Sequence, residues 1–273
     1  MSAASVPATA PGRRRAPMSA RTESWLRVIA PVSVGLFVLG LWQFLVSVVG
    51  VSEYLLPSPA AIAEQFVLYL PSILSAMAIT GTNALIGLLV GSILGIGFAA
   101  LAANFRSIDG MSAPVVASLA VIPIVALAPV LNSMFGADSQ FSRQAIAALA
   151  TFVPVFINTL RGFRQTRAVH RDLMKVYAAS TGQVLRTVTL PTAAPFIFTG
   201  IRIASSLAVI SALVAEYFGG PRGGLGGLIS TSAASSAYAR AWAYVVASIV
   251  LGLVFYLATL LLERLANRRR GDS

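Results

Sequence analysis

Six stretches of this chain are too long and too apolar to be placed anywhere but in a lipid bilayer. A helix needs about 20 apolar residues to cross roughly 30 Å of hydrocarbon. Residues 28–49, 78–103, 111–131, 144–160, 196–218 and 241–262 meet or approach that length, 144–160 being the shortest. The runs are continuous and do not alternate polar with apolar, so they read as helices and not as strands of a membrane barrel. Composition agrees: 57% of residues are hydrophobic and 11% charged, against about 25% charged in a soluble domain. The expected fold class is an all-α membrane protein of about six transmembrane helices. The 273 residues include no cysteine, which excludes a disulfide, a thiolate metal site and a cysteine nucleophile.

The net charge of +11 is carried almost wholly by arginine, Lys175 being the single lysine. A nucleotide-binding P-loop needs Gly-Lys-Ser/Thr. Lys175 lies between Met174 and Val176, so the chain cannot be a P-loop ATPase by itself. Arginines gather in alternate connections, as the positive-inside rule requires of cytoplasmic segments. With the N-terminus inside, Arg13, Arg14, Arg15, Arg21 and Arg27 are cytoplasmic, as is Arg106 between spans two and three. Arg161, Arg164, Arg167, Arg171, Lys175 and Arg186 follow span four, with Arg202 near the inner end of span five, and Arg264, Arg268, Arg269 and Arg270 follow span six. Only Arg143, Arg222 and Arg240 are left outside. This predicts six spans with both termini inside. It also assigns the basicity to topology and not to nucleic acid.

Residues 1–20 are rich in Ala, Pro, Ser and Arg and read as a disordered basic tail; 21–265 form the membrane domain and 266–273 a basic C-terminal tail. Arg13-Arg14-Arg15 is not an export signal here, because polar residues follow it and the next apolar run is as long as a span. Pro57-Ser58-Pro59 leads into a short helix expected over 60–70 and stopping at Pro71.

Polar and conformationally special residues within the spans are the candidates for a pathway. Gly87, Gly91 and Gly95 share one face of span two, for helix packing, for a seam between subunits or for a gating contact. Pro114, Pro123, Pro129 and Pro154 each free a backbone carbonyl, and three of them fall in span three, which marks it as a helix lining a pathway. Asn83, Pro123, Pro129, Asn132, Asn158, Ser206 and Glu216 are the candidate pathway residues. Glu216 is an ionisable residue in a span and so a functional candidate, although its place near the outer end also suits a pair with Arg222 or Arg240. The run Gly219-Gly220-Pro221-Arg222-Gly223-Gly224-Leu225-Gly226-Gly227 follows a membrane helix on the outer face, where no nucleotide is available; it reads as a tight or re-entrant turn with close backbone approach. His170 has no second ligand beside it, so no metal site is expected, and no Ser-His-Asp set is present.

The connection at 162–191 is far longer than a reversal of direction needs. Tyr177, Val184 and Val188 recur at helical spacing among charged residues, which predicts one amphipathic element. It would lie on anionic lipid or dock in the groove of a cytoplasmic partner.

The stretch Asp172 to Pro191 resembles the cytoplasmic "EAA" loop of bacterial ABC importer permeases. Counted back from Leu190-Pro191, Asp172 matches the acid, Leu173 and Met174 stand where the pattern has alanines, and Ala178 where it has glycine. Pro195, Gly200 and Arg202, Leu56-Pro57-Ser58-Pro59, Ile122-Pro123 with Ala128-Pro129-Val130, and Glu216 with Gly224-Leu225-Gly226 also resemble family positions. The resemblance covers about 42–262 and is to the branch handling nitrate, sulfonates, taurine, and thiamine-pyrimidine or riboflavin-type compounds. It implies a type I permease fold and the bacterial cytoplasmic membrane. It also implies an ATPase dimer beneath two permeases, homodimeric or with a paralogue, and an external substrate-binding protein. ATP and Mg would be held by the ATPase and no cofactor by this chain. The coupling residues it implies are Asp172, Leu173, Met174, Tyr177, Ala178, Ala179, Ser180, Gly182, Leu185, Leu190 and Pro191. A secondary transporter would need ion-coupling carboxylates in mid-membrane; Asp109, Glu216 and Glu263 all lie near span ends, and no acid or His cluster supports a membrane enzyme.

Overall fold

A computed structural model describes residues 20–52, 54, 56–136, 139–166, 168–219 and 223–271. The tail at 1–19, Asp138, Arg167 and Arg222 lie outside them. Contacts divide the chain into a unit ending at Val51 and another beginning at Ser52. The first holds α1 (Ala20–Ser47), with Pro31 inside it. Its side chains from Ile29 to Leu41 are exposed, as suits a helix solvated by lipid.

The second unit opens with α2 (Pro59–Leu68), where Ser58 caps the helix by accepting from the Ala61 amide at 3.1 Å. α3 (Leu70–Asn104) follows at once. Pro71 therefore starts a helix instead of stopping one, since the first helical turn has no N–H to lose there. The second span is accordingly 35 residues long and begins at Leu70, not at 78.

The third expected span is two helices, α4 (Arg106–Val121) and α5 (Ile124–Phe135), bent by 85°. Pro123 pushes Ile122 into the extended region (ψ 121°), and helical hydrogen bonding stops there. α6 (Phe141–Arg164) runs beyond the expected 144–160 at both ends. α7 (Ala168–Val176) and α8 (Thr181–Val184) occupy the long connection. A π-helical turn, Leu185–Thr189, joins α8 to α9 (Leu190–Phe218) without interruption. α10 (Leu225–Ala234) and α11 (Tyr238–Gly271) complete the chain. α11 is helical to Gly271, where a tail from 266 was expected. Among the described residues, five helices are long and apolar enough to cross a membrane, or six with the bent pair counted as one span.

α3, α6 and α9 form the centre. Helices in lipid gain no hydrophobic drive from meeting, so close approach over small residues decides their pairing. A Cβ at Gly87 would fall on that of Ala147, one at Gly91 on Thr151, and one at Gly95 within 3.0 Å of the Phe152 carbonyl. Thr151 Oγ1 donates across this seam to the Gly87 carbonyl at 3.0 Å. The glycine face of span two is thus a packing face inside the subunit. Gly162 and Gly200 serve the α6–α9 seam likewise, with a Cβ meeting Ala193 Cα and Asn158 Cβ at 3.0 Å.

Candidate functional site

At the arginine-rich end, Asp109 at the start of α4 pairs with Arg164 at the end of α6, and Arg202 Nη1 lies 3.3 Å from Glu263 Oε2 between α9 and α11. α7 emerges here. Leu173 is 51% exposed, Val176 83% and Tyr177 72%, so the helix and the residue after it present an apolar face that none of the described residues covers. Asp172 holds Lys175 at 3.0 Å on the surface.

The chain then turns by a Schellman arrangement. The Ala178 N–H donates to the Lys175 carbonyl at 2.9 Å, the Ala179 N–H donates to Met174 at 3.0 Å, and Ala178 takes φ +49°. That left-handed position is normally glycine's. Ser180 and Gln183 close a capping box that starts α8, the Ser180 N–H donating to Gln183 Oε1 at 2.7 Å. Tyr177, just past the end of α7, and Val184, in α8, therefore lie on either side of this turn, and the single amphipathic element expected through 177, 184 and 188 does not exist. Ser180 and Gly182 are exposed, as are Leu185, Leu190 and Pro191 on the turn into α9; Met174 and Ala179 are half-buried.

The opposite end holds a buried polar cluster. Glu216 is 1% exposed. Its Oε2 accepts from Thr80 Oγ1 at 2.7 Å and from the Gly226 N–H at 3.2 Å, and its Oε1 accepts from Asn83 Nδ2 at 3.3 Å. Thr80 Oγ1 in turn accepts the Leu225 N–H at 2.9 Å. Asn83 also donates to Gln140 Oε1 at 2.8 Å and accepts from Gln144 Nε2 at 3.2 Å, while Arg143 Nη1 donates to Gln140 Oε1 at 3.0 Å.

Two expectations need correction here. Arg143 is not a loop cation but is wholly buried in the first turn of α6, where it acts electrostatically on Glu216. Arg240 is not the partner of Glu216: it donates to Tyr69 Oη at 3.1 Å and lies 5.0 Å from the centroid of that ring. Thr80, Gln140 and Gln144 were not singled out from the sequence. Thr80 had a signal, since it shares a helical face with Asn83, Gly87 and Gly91.

Of the other pathway candidates, Asn132 is buried against Gly219 with neither amide atom hydrogen-bonded. Pro123 makes the bend and Pro129 lies exposed within α5. In the concave side of the bend, α4, α5, α6 and α9 enclose a cleft of about 470 Å³. Its wall is apolar, with Leu119, Ile122, Val153 and Leu207, and its polar side chains are Asn158 and Ser211. Asn158 Nδ2 donates to the Pro154 carbonyl at 2.8 Å. Ser206 is half-buried outside this lining. The structure thus joins Asn83 to Glu216 and places Asn158 separately at the cleft.

Residues 91–270 match the family model described as the binding-protein-dependent transport system inner membrane component. The chain is 32% identical over 246 residues to a riboflavin transport system permease protein, RibX, of Chloroflexus aurantiacus, covering 89% of this chain and 91% of that one. It is 30% identical to a formylaminopyrimidine transport permease protein, ThiX, of Halalkalibacterium halodurans, over 72% of this chain and 78% of the relative. A putative aliphatic sulfonates transport permease protein of Bacillus subtilis is 28% identical over 78% of this chain and 74% of its own length. In fold, the chain is similar to one from a crystal structure of an amino acid ABC transporter with histidines, at a TM-score of 0.60 and 14% identity, covering 72% and 95% of the two chains. An all-helical bundle with a broken third span, a long basic connection and these relatives has one reading: the chain belongs to the binding-protein-dependent inner membrane components, as the permease subunit of an ABC importer whose ATPase is a separate subunit.

Proposed function

We propose that this permease carries a small, neutral, heterocyclic solute of the flavin or pyrimidine class through the cleft beside the α4–α5 bend. The observation that carries the reading is the chemistry of that cleft: apolar walls, two polar side chains and no charged residue in its lining. Asn158 commits its amide nitrogen to Pro154, which leaves Oδ1 as an acceptor for a ring N–H. A flat, weakly solvated ring suits such a surface, whereas nitrate or a sulfonate would enter without a counter-charge, which is costly away from water. The riboflavin and formylaminopyrimidine relatives support the same class.

We further infer the assembly and its orientation. Two permeases stand over an ATPase dimer, both termini face the cytoplasm, and ATP and Mg stay on the ATPase. Support comes from the exposed apolar face of α7 at the arginine-rich end, which fits a groove in a partner. Asp172–Gly182 then moves as a lever when the ATPases close. Ala179→Glu, in the turn that follows this face, is expected to leave the permease in the membrane but to abolish its co-purification with the ATPase.

The deciding experiment for the cargo is ligand-induced thermal stabilisation of the binding protein encoded beside this permease, against vitamins, pyrimidines, sulfonates and nitrate. A shift with a flavin or pyrimidine is the expected result. A shift confined to sulfonates or nitrate overturns the cargo and leaves the importer standing.

A further inference from the structure

A carboxylate buried in a membrane protein is expensive unless its oxygens are satisfied, and of the three hydrogen bonds Glu216 accepts, two come from α3 and one from the short helix α10. Leu225 and Gly226 open α10, and their N–H groups are among those a helix start leaves without partners. The Gly226 N–H goes to Glu216 directly, and the Leu225 N–H reaches it through the Thr80 hydroxyl. The glycines make this approach possible: a Cβ at Gly224 would overlap the Glu216 carboxylate, and one at Gly226 would lie 2.8 Å from both Glu216 Cβ and the Tyr217 nitrogen. α10 itself has ten residues, too few to span.

We propose that Glu216 is a latch: it holds α10 down over the outer end of the bundle, and the permease opens outward by releasing this helix. The choice of a charge argues for a latch and against a permanent brace. An apolar plug would always favour the closed position, because opening would expose it to water. A fully paired buried carboxylate is close to break-even against hydration, so the polar part of the contact exchanges its protein donors for water at small net change, and the apolar surface that holds α10 closed includes that of the wholly buried Leu225. The contact is therefore reversible by design of its chemistry. Thr80 is the second half of the device, since its hydroxyl accepts from α10 and donates to Glu216 through one oxygen. Asn83, itself held through Gln140, to which the buried Arg143 donates, keeps the carboxylate in place from the other side while α10 moves.

The test uses the complete importer, with its ATPase and binding protein, in proteoliposomes. The chain has no cysteine, so Ser232→Cys, at a position on α10 that is buried while the helix is seated, reports release of the helix by its rate of reaction with a membrane-impermeant maleimide. Glu216→Gln, which keeps the shape and removes two acceptor sites, is expected to raise that rate and to lower solute moved per ATP hydrolysed by about tenfold, the equivalent of one or two lost hydrogen bonds. ATP hydrolysis itself continues. Thr80→Val is expected to do the same and Thr80→Ser to behave as the parent, a rescue that mere packing would not give. The proposal fails if Glu216→Gln leaves both labelling and solute per ATP unchanged. It fails equally if its only effect is less permease in the membrane, with the assembled fraction fully coupled.

Discussion

Ala178 carries a backbone angle that alanine adopts only at a cost, φ +49°, because the turn after α7 needs it. A left-handed residue other than glycine is disfavoured by about 1–2 kcal/mol. Ala178→Gly should therefore steady the turn by roughly 1 kcal/mol. Slower hydrogen exchange of the α7 amides in the purified importer would show it, and Ala178→Val should speed the same exchange. Counting back from Leu190-Pro191 places Ala178 at the family's glycine, and the turn geometry supplies a reason for glycine there. Other residues were less legible. Arg143 follows a polar stretch and reads as a loop cation, yet two polar residues before it and the start of α6 turn it inward. Arg143 bonds Gln140 beside it, and Gln140 in turn meets Asn83 of α3, a partner distant in sequence that no local pattern records.

At the level of elements, spacing was informative wherever one helix face does one thing. The stripe of Gly87, Gly91 and Gly95 packs on α6 as four-residue spacing implies. Gly91→Leu should then separate α3 from α6, since overpacking a tight seam is destabilising by about 1–3 kcal/mol or more. Gly97→Leu on the same helix meets nothing within 4 Å and should be tolerated. Membrane-inserted protein in the two variants, compared by detergent-solubilised gel filtration, gives the contrast. The bend between α4 and α5 was only half legible: Pro123 announces a disturbance, but whether it kinks or breaks a span depends on what the freed ends pack against. Relaxing it with Pro123→Ala should preserve insertion and reduce uptake, because the cleft is the concave side of that bend. The long connection misled for a different reason. Helical periodicity ran across a left-handed turn that its own residue types, Tyr177-Ala178-Ala179, do not advertise.

Across the whole molecule, arginine distribution orders the spans, and it makes a prediction about sidedness. In intact cells, Tyr177→Cys should resist a membrane-impermeant maleimide and Ser235→Cys should react, both being exposed positions at opposite ends. The reverse pattern would invert the topology while leaving the family intact. The bundle also sets a division of labour. One end exposes the apolar side chains of α7, the other locks polar groups together, and the cleft lies between. Composition and run length made the class of molecule readable at this scale, because lipid permits so few solutions.

The helix that begins at Thr181 does not stop until Phe218. At 1.5 Å per residue its 38 residues reach about 57 Å. It starts three residues beyond the Ala178 turn and ends two beyond Glu216. A single continuous helix thus carries the Ala178 turn near one tip and the carboxylate near the other, so, on the proposed docking of that turn to the ATPase, a thrust applied at the first reaches the second along the helix itself. The π-helical turn at Leu185–Thr189 and Pro195 both interrupt its regular hydrogen bonding, and both lie in the half nearest the Ala178 turn, so bending under load is concentrated there.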